Sequence, residues 1–454
     1  MPPVDLDALT EAFFSFHARF APYFYRAEVR ERSARYLRAL VSPVERKNGW
    51  QLAEAIGDPD PNGVQRLLTR ARWDEDAVRD ALERFVFEMF GDPDAGIFVL
   101  DETGFLKKGT HSVGVARQYT GTAGKIENCQ IGVFLAYVGV GGSAFLDRRL
   151  YLPAAWASDG ARRTVAHVPE TSTFQTKTQL GRAMLEHAWS LGVRGGWVTG
   201  DEVYGRDGVL RRWLTQQGQA SVLAVPSSEH VWVIDADTRR EATVVERAAG
   251  LAVEAWQRLS CGDGAKGPRW YDWAWIPVAG LVKSGWGHWL LVRRSLTAPH
   301  QLAFYLVAAP LGTTLGQAVR VAGARWGIEQ ALEEAKGEVG LDEYEVRTWR
   351  SWYRHITLSL LAHACLVWLR ATDPAGAGPA GGLDRRRRRV DRVDRAGDAA
   401  ALGAHARAAV GGGALPPGLV TLASTPSSRR QTGAVSPSRA ATGSRPTTLN
   451  YVML

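Results

Sequence analysis

Gly96-Ile97-Phe98-Val99-Leu100-Asp101-Glu102-Thr103-Gly104 is the stretch that decides how the chain is read. Four consecutive apolar residues between a glycine and an acid read as a strand buried on both faces, ended by Asp101. The pattern recurs in Gly196-Trp197-Val198-Thr199-Gly200-Asp201-Glu202-Val203-Tyr204-Gly205. A single aspartate after a strand is ordinarily a turn former or a helix cap. Two of them, each closing a buried strand, can bring two carboxyls to one sheet edge.

Around these two runs the texture is mixed. Residues 113–119, 130–140 and 144–152 read as further strands, broken by the glycine-rich turns 121–124 and 139–142. Residues 174–190 form an amphipathic helix, 207–217 a second helix, and 221–225 another strand. Strands followed by alternating helices and strands predict a mixed α/β sheet with helices for both faces. Residues 226–305 change again: seven tryptophans, alternation over 286–294 and the turn 262–268 predict antiparallel strands. A helical pattern resumes with Val321, Ala324, Ile328, Leu332 and Ala335, and 349–369 reads as a long buried helix.

Upstream, residues 5–90 are helical by periodicity. Residues 51–56 and 64–71 form a helix pair, and Arg66, Arg70 and Arg72 fall on or just after the second. This suits either a DNA-contacting helix-turn-helix with an overlong turn or a plain bundle with solvated arginines. Downstream, residues 373–454 have one aromatic, Tyr451, and are dominated by Ala, Gly, Arg, Pro and Ser. Such a stretch cannot offset its ordering entropy and is expected to be a disordered basic tail. Its abrupt composition also suits a frame-shifted translation of a GC-rich gene. The expected divisions are 1–90, 91–225, 226–305, 306–372 and 373–454.

The 454 residues are 45% hydrophobic and 22% charged, ordinary for a globular protein. The net charge of +8 belongs wholly to 384–454, which carries twelve Arg against four Asp. The rest of the chain is balanced, so an anion-binding surface there must come from local patterning. Cys129, Cys261 and Cys365 are far apart, which predicts neither a zinc site nor a disulfide framework. The N-terminus lacks the pattern of a secretory signal, and the apolar run 356–369 is too short to span a bilayer. A cytoplasmic protein without a membrane partner is expected.

Phosphodiester chemistry with two hard cations needs carboxylates converging on one point, with the ions about 4 Å apart. A third acid is available on the helix Arg325-Trp326-Gly327-Ile328-Glu329-Gln330-Ala331-Leu332-Glu333-Glu334-Ala335-Lys336. Arg325, Glu329 and Lys336 fall along one helical face. Glu333 and Glu334 compete for the role on geometry alone.

At this point the chain resembles insertion-sequence transposases of the DDE, ribonuclease-H-like superfamily. It is similar to the branch with a β-rich insertion before the last acid and a Tyr-x2-Arg-x3-Glu-x6-Lys signature. Arg325, Glu329 and Lys336 match that spacing, while Ala322 stands where the tyrosine would be. Residues 100–109, 117–132 and 337–347 resemble a narrower subgroup, and the likeness runs over roughly 10–370.

The resemblance implies a ribonuclease-H-like mixed sheet interrupted by the insertion. It implies Asp101, Asp201 and Glu329 as the catalytic, metal-holding triad, the Arg/Lys spacing selecting Glu329. It implies two Mg²⁺ ions, for which Mn²⁺ can substitute, and DNA as partner, both transposon ends and target. The expected reaction is end cleavage followed by strand transfer at the same site, without ATP. Arg325 and Lys336 are implied as DNA contacts. Lys107, Lys108, Arg117, Lys125, Trp286, Trp289, Arg293 and Arg347 are further candidates, the tryptophans by stacking a flipped base. Tyr344 suits DNA contact or packing equally. Glu102 and Glu202 are expected to point away from the cleft by strand alternation. A dimer on DNA and association with the nucleoid are expected. The alternatives are a DNA-binding relative without cleavage and a metal-dependent nuclease that joins no strands.

Overall fold

The structure, a computed structural model, describes residues 6–372 except 140, 236–237 and 265–266. The tail from 373, with the Arg385–Arg389 run and the frame-shift reading, lies outside the described residues.

Five helices come first: α1 (Leu6–Phe20), α2 (Ala27–Leu40), α3 (Gly49–Ala55), α4 (Asn62–Thr69) and α5 (Glu75–Phe90). Asn48 and Asp74 start α3 and α5 by accepting first-turn N–H groups on their side chains. Four strands follow: β1 (Ile97–Leu106), β2 (Ala116–Thr120), β3 (Lys125–Gly139) and β4 (Gly142–Tyr151). The short α6 (Ala154–Ala157) and α7 (Gly160–Val165) lead to α8 (Lys177–Ser190), which opens with a Thr176/Gln179 capping box. Then come β5 (Trp197–Gly200), α9 (Glu202–Gly205), α10 (Gly208–Gln217) and β6 (Ala220–Val225). A hairpin, β7 (His230–Asp235) and β8 (Thr238–Thr243), runs into α11 (Val244–Ala249). Four strands, β9 (Trp256–Gly264), β10 (Gly267–Pro277), β11 (Trp286–Arg294) and β12 (Leu302–Pro310), precede α12 (Leu315–Val339) and α13 (Trp349–Thr372).

The strands assemble into one ten-stranded sheet plus the β7–β8 pair. β2 and β4 share one edge of β3; β3 is antiparallel to β1, β1 parallel to β5, and β5 parallel to β6. This is the order and sense of a ribonuclease-H-like sheet. Beyond β6 the same sheet continues antiparallel through β12, β11, β10 and β9. The tryptophan-rich strands therefore lengthen the sheet, and β7–β8 with α11 covers one face of them around Val231, Val233, Val244, Ala274 and Val292.

Register assigns the faces, since alternate residues point to opposite sides. Val99, Asp101, Thr103 and Phe105 share the face covered by α12 and α13: Phe105 meets the Trp352 ring at 6.5 Å. Phe98 and Leu100 face α5 and α8. The Phe98 ring packs on Tyr137, which meets Phe87, and Leu100 contacts Gly181.

α13 is the hub of the helical layer. The Phe16 ring lies 5.6 Å from Trp368, and the Tyr36 hydroxyl 3.1 Å from His355 Nδ1. Arg354, wholly buried, donates to the carbonyls of Leu67, Ala71 and Trp73 and to the Glu75 carboxylate. The N-terminal helices and the sheet thus share one apolar core. Among the described residues no helix is long and apolar enough to cross a membrane.

One expectation needs correcting. Asp101 does not end its strand: β1 runs on to Leu106, still paired to β3 on its other side. It is β5 that stops, at Gly200.

Candidate active site

Parallel pairing sets the site. Ile97 to Leu100 are opposite Trp197 to Gly200, and the next step in each strand is an aspartate. Asp101 continues in β1, while Asp201 caps α9, its carboxylate accepting the Val203 N–H at 2.9 Å. The turn after Asp201 is held close to β6, because Gly205 has no side chain: a Cβ there would collide with the Ala224 carbonyl oxygen.

Asp101, Glu102 and Asp201 each offer an oxygen within 4.8 Å of the other two. Burial, and then the Asp201 carboxylate, push the Asp101 acid up to about 8. Two acids that repel at close range, one of them desolvated, are a site short of positive charge, and an all-oxygen donor set suits a hard divalent cation.

The expectation that Glu102 points away from this cluster is overturned. Alternation does send its stem toward α8, opposite Asp101. But β5 has already ended, so no strand separates the two layers beside Asp201. Lys177 Nζ, on α8, donates to Glu102 Oε1 at 2.6 Å, and the Tyr204 hydroxyl to Oε2 at 3.1 Å. Burial raises the Glu102 acid, with Lys177 opposing. Sequence reasoning missed the residue, although Lys177 and Tyr204 become visible as partners only after folding. Glu202, by contrast, is exposed and pairs with Arg206 at 3.6 Å.

α12 crosses the Asp101 face. Lys336 Nζ donates to Thr103 Oγ1 at 2.8 Å and to Thr122 Oγ1 at 3.2 Å, tying the helix to β1 and to the β2–β3 turn. Arg325 pairs with Glu329 at 2.8 Å. Burial opposes the Arg325 charge, but Glu329, Asp101 and Asp201 together hold its pKa above the ordinary value. Arg325 therefore links the electrostatics of all three acids. Glu329 itself is 48% exposed and does not belong to the Asp101–Glu102–Asp201 group. Of its rivals, Glu333 is exposed, and Glu334 is directed at α13, where Arg370 lies 3.4 Å away. Ala322, at the signature tyrosine position, is buried.

The other candidate contacts divide into committed and free. Lys107 donates to the Tyr344 carbonyl at 3.0 Å and lies over that ring, and burial lowers its pKa to about 8. Tyr344 is core: it is buried, and its hydroxyl donates to Gln130 at 2.9 Å. Lys125 pairs with Glu127 at 2.9 Å, while Lys108, Arg117 and Arg347 are exposed. Trp289 stacks on Trp275 with centroids 4.8 Å apart, Lys283 lies over Trp286, and Arg293 over Tyr271. Through the pairings Val99–Thr199–Val222–Val307–Trp289, the half-buried Trp289 sits on the face of the sheet that carries Asp101.

Residues 19–250 match the family described as DDE superfamily endonuclease. The chain is also 22% identical over 307 residues to a probable transposase for insertion sequence element IS701 from Microchaete diplosiphon, covering 67% of this chain and 74% of that one.

Proposed function

The chain belongs to the DDE superfamily of endonucleases, and from that premise we propose that it is an insertion-sequence transposase that cuts DNA at the ends of its element and joins them to a target. The observation that carries this is the side-by-side placement of Asp101 and Asp201, with α12 laid across the same face.

Asp101 and Asp201 would hold Mg²⁺, or Mn²⁺ in its place, and Glu329, which stands outside their group beside Arg325, would turn to them as the third ligand. When bound, the ions supply Lewis acidity for the attacking and leaving oxygens of phosphoryl transfer. The protein's own residues do the rest. Lys177 and Tyr204 fix Glu102 beside the aspartates. Arg325 holds Glu329 and places a permanent cation near the reacting phosphate, where fixed charge is worth most. Lys336 keeps α12 against Thr103 and borders the path of the backbone. Exposed Lys108, Arg117 and Arg347, with Lys125, extend that path as phosphate contacts, while Trp286, Trp289 and Arg293 offer rings and charge to an unstacked base. Lys107, engaged with Tyr344, serves the loop that carries Lys108. Two ends must be held together for transposition, so a dimer on DNA follows from this reading, as does a location on the nucleoid.

The test is cleavage of a labelled duplex carrying one end of the host element and its flank, with purified full chain and Mg²⁺. Cuts at the element boundary that vanish in Asp201→Ala support the reading; no cut with wild type overturns it. A pre-cleaved end offered with plasmid DNA then separates a transposase, which joins them, from a nuclease, which does not.

A further inference from the structure

A second cluster of ionisable groups lies where α5 faces α8. Asp80 and Glu83 are on α5 and His187 is on the last turn of α8. One ligand atom of each falls within 4.8 Å of the other two. His187 Nε2 is 2.9 Å from Asp80 Oδ1 and 3.9 Å from Glu83 Oε1. Glu83 has 0% of its surface exposed, and neither carboxylate oxygen has a hydrogen-bond partner. A buried carboxylate in that condition costs free energy unless a cation or a proton meets it.

The neighbouring arginines do not meet that need. Arg79 approaches Glu83 only to 3.5 Å, while its Nε is 2.7 Å from Asp80 and its Nη1 3.2 Å from Asp147. The other charged groups packed here are Asp76, on α5, with Arg148 and Arg149, on β4; Arg148 pairs with Asp76 and Asp147, and Arg149 with Asp147. With all four ionised, Asp76, Asp80, Glu83 and Asp147 face three guanidiniums, so Glu83 needs either a proton or a further cation. Burial, then Asp147, hold the Glu83 acid well above the ordinary range.

We propose that Asp80, Glu83 and His187 form a binding site for a divalent first-row transition cation of the Zn²⁺ class, bridging α5 and α8 and separate from the Asp101–Asp201 centre. The donors are two carboxylate oxygens and one imidazole nitrogen, a set that favours Zn²⁺ and its neighbours over Mg²⁺. Glu83 forms the closed floor, and the side chains of Asp80 and His187, 26% and 25% exposed, form a rim that a hydrated ion can reach. The ion would satisfy the Glu83 oxygens and fasten an N-terminal helix to one that packs on the sheet. The inference owes nothing to the DNA reading.

The test uses neither DNA nor cleavage. The full chain carrying Asp101→Asn and Asp201→Asn, which disables the other acidic centre, is dialysed against Zn²⁺ alone and desalted. The expected result is one retained Zn²⁺ per chain, a raised Tm, and visible d–d absorption when Co²⁺ replaces Zn²⁺. His187→Gln and Glu83→Gln are each expected to weaken binding on the order of tenfold or more. No retained metal, or undiminished binding in His187→Gln, overturns the proposal. Should Glu83→Gln fail to fold, His187→Gln, at a partly exposed position, decides alone.

Discussion

Asp101 and Asp201 occupy the same level of adjacent parallel strands, because Leu100 is in register with Gly200 and each is followed by its aspartate. Strand register sets the level of the two acids, and the cap on α9 sets the Asp201 carboxylate just past the end of β5. On the proposed reading, replacing either acid with Asn leaves the sheet intact and removes a charge that would hold the metal. Cleavage of element-end DNA is expected to fall by about a thousandfold or more, several kcal/mol of barrier, with circular dichroism unchanged.

Glu102 is a positioning residue in this scheme, so its loss should be milder. Glu102→Gln and Lys177→Met are expected to weaken the apparent affinity for Mg²⁺ by about ten- to a hundredfold. Titrating cleavage against Mg²⁺ reads this directly: the concentration for half activity should rise while the saturated rate recovers most of its value. An unchanged titration would mean that Glu102 serves only packing.

Trp289 and Trp275 already stack on each other at 4.8 Å. If one face of that pair receives an unstacked base, Trp289→Ala should cost about 1–3 kcal/mol in binding to element ends. A fluorescent base analogue near the cleavage site would show reduced unstacking in the variant. Equal binding and equal fluorescence would return Trp289 to the core.

Two histidines predict acid sensitivity. Burial lowers His17 to about 4 and His355 to about 3. Both are neutral when folded near pH 5, whereas the unfolded chain protonates them below about 6.5. The unfolded state then binds more protons, so their contribution to stability is full above that value and fades as pH falls toward 4 and then 3. Urea midpoints should drop between pH 7 and pH 4.5 by an amount equivalent to a few kcal/mol, at about 1.4 kcal/mol per tenfold in proton affinity. His17→Gln should flatten part of that slope.

Arg354 joins α13 to the segment that connects α4 and α5. Arg354→Met leaves Glu75 with Arg350 as its remaining partner and strips the Ala71 carbonyl of its guanidinium donor, while Leu67 and Trp73 keep the Trp73 indole and Arg350; it is expected to cost about 1–3 kcal/mol. The check is a denaturant melt alongside Glu75→Gln, whose effect should not add to it.

Much of this was readable before folding, for specific reasons. The apolar runs 97–100 and 197–200 are each bounded by glycine and acid, so both central strands and their aspartates could be placed from composition and punctuation. The helix around Glu329 was readable from its 3.6-residue stripe; the choice of Glu329 rested on the signature spacing, and in the fold Glu329 and Glu333 are both exposed while Glu334 turns to α13. Glu102 was not readable, because strand alternation holds only while neighbouring strands continue, and β5 ends one residue too early. Nor did local pattern show that β9 to β11 would join the main sheet, since edge pairing depends on partners distant in sequence. The Asp80–Glu83–His187 meeting was equally hidden, being a contact between helices with a whole sheet layer between them in the chain.

The position of α13 imposes an order on biosynthesis. Phe16, Tyr36, Leu67 and Trp73 find their partners on residues 352–368, which leave the ribosome only after most of the sheet has been made. The first segment translated is therefore among the last to be sealed, and until then its greasy side stays open to chaperones or to premature association. The helix that closes the amino-terminal layer is also the one that backs the strand bearing Asp101, so neither arrangement can be completed before residues 352–368 have been made.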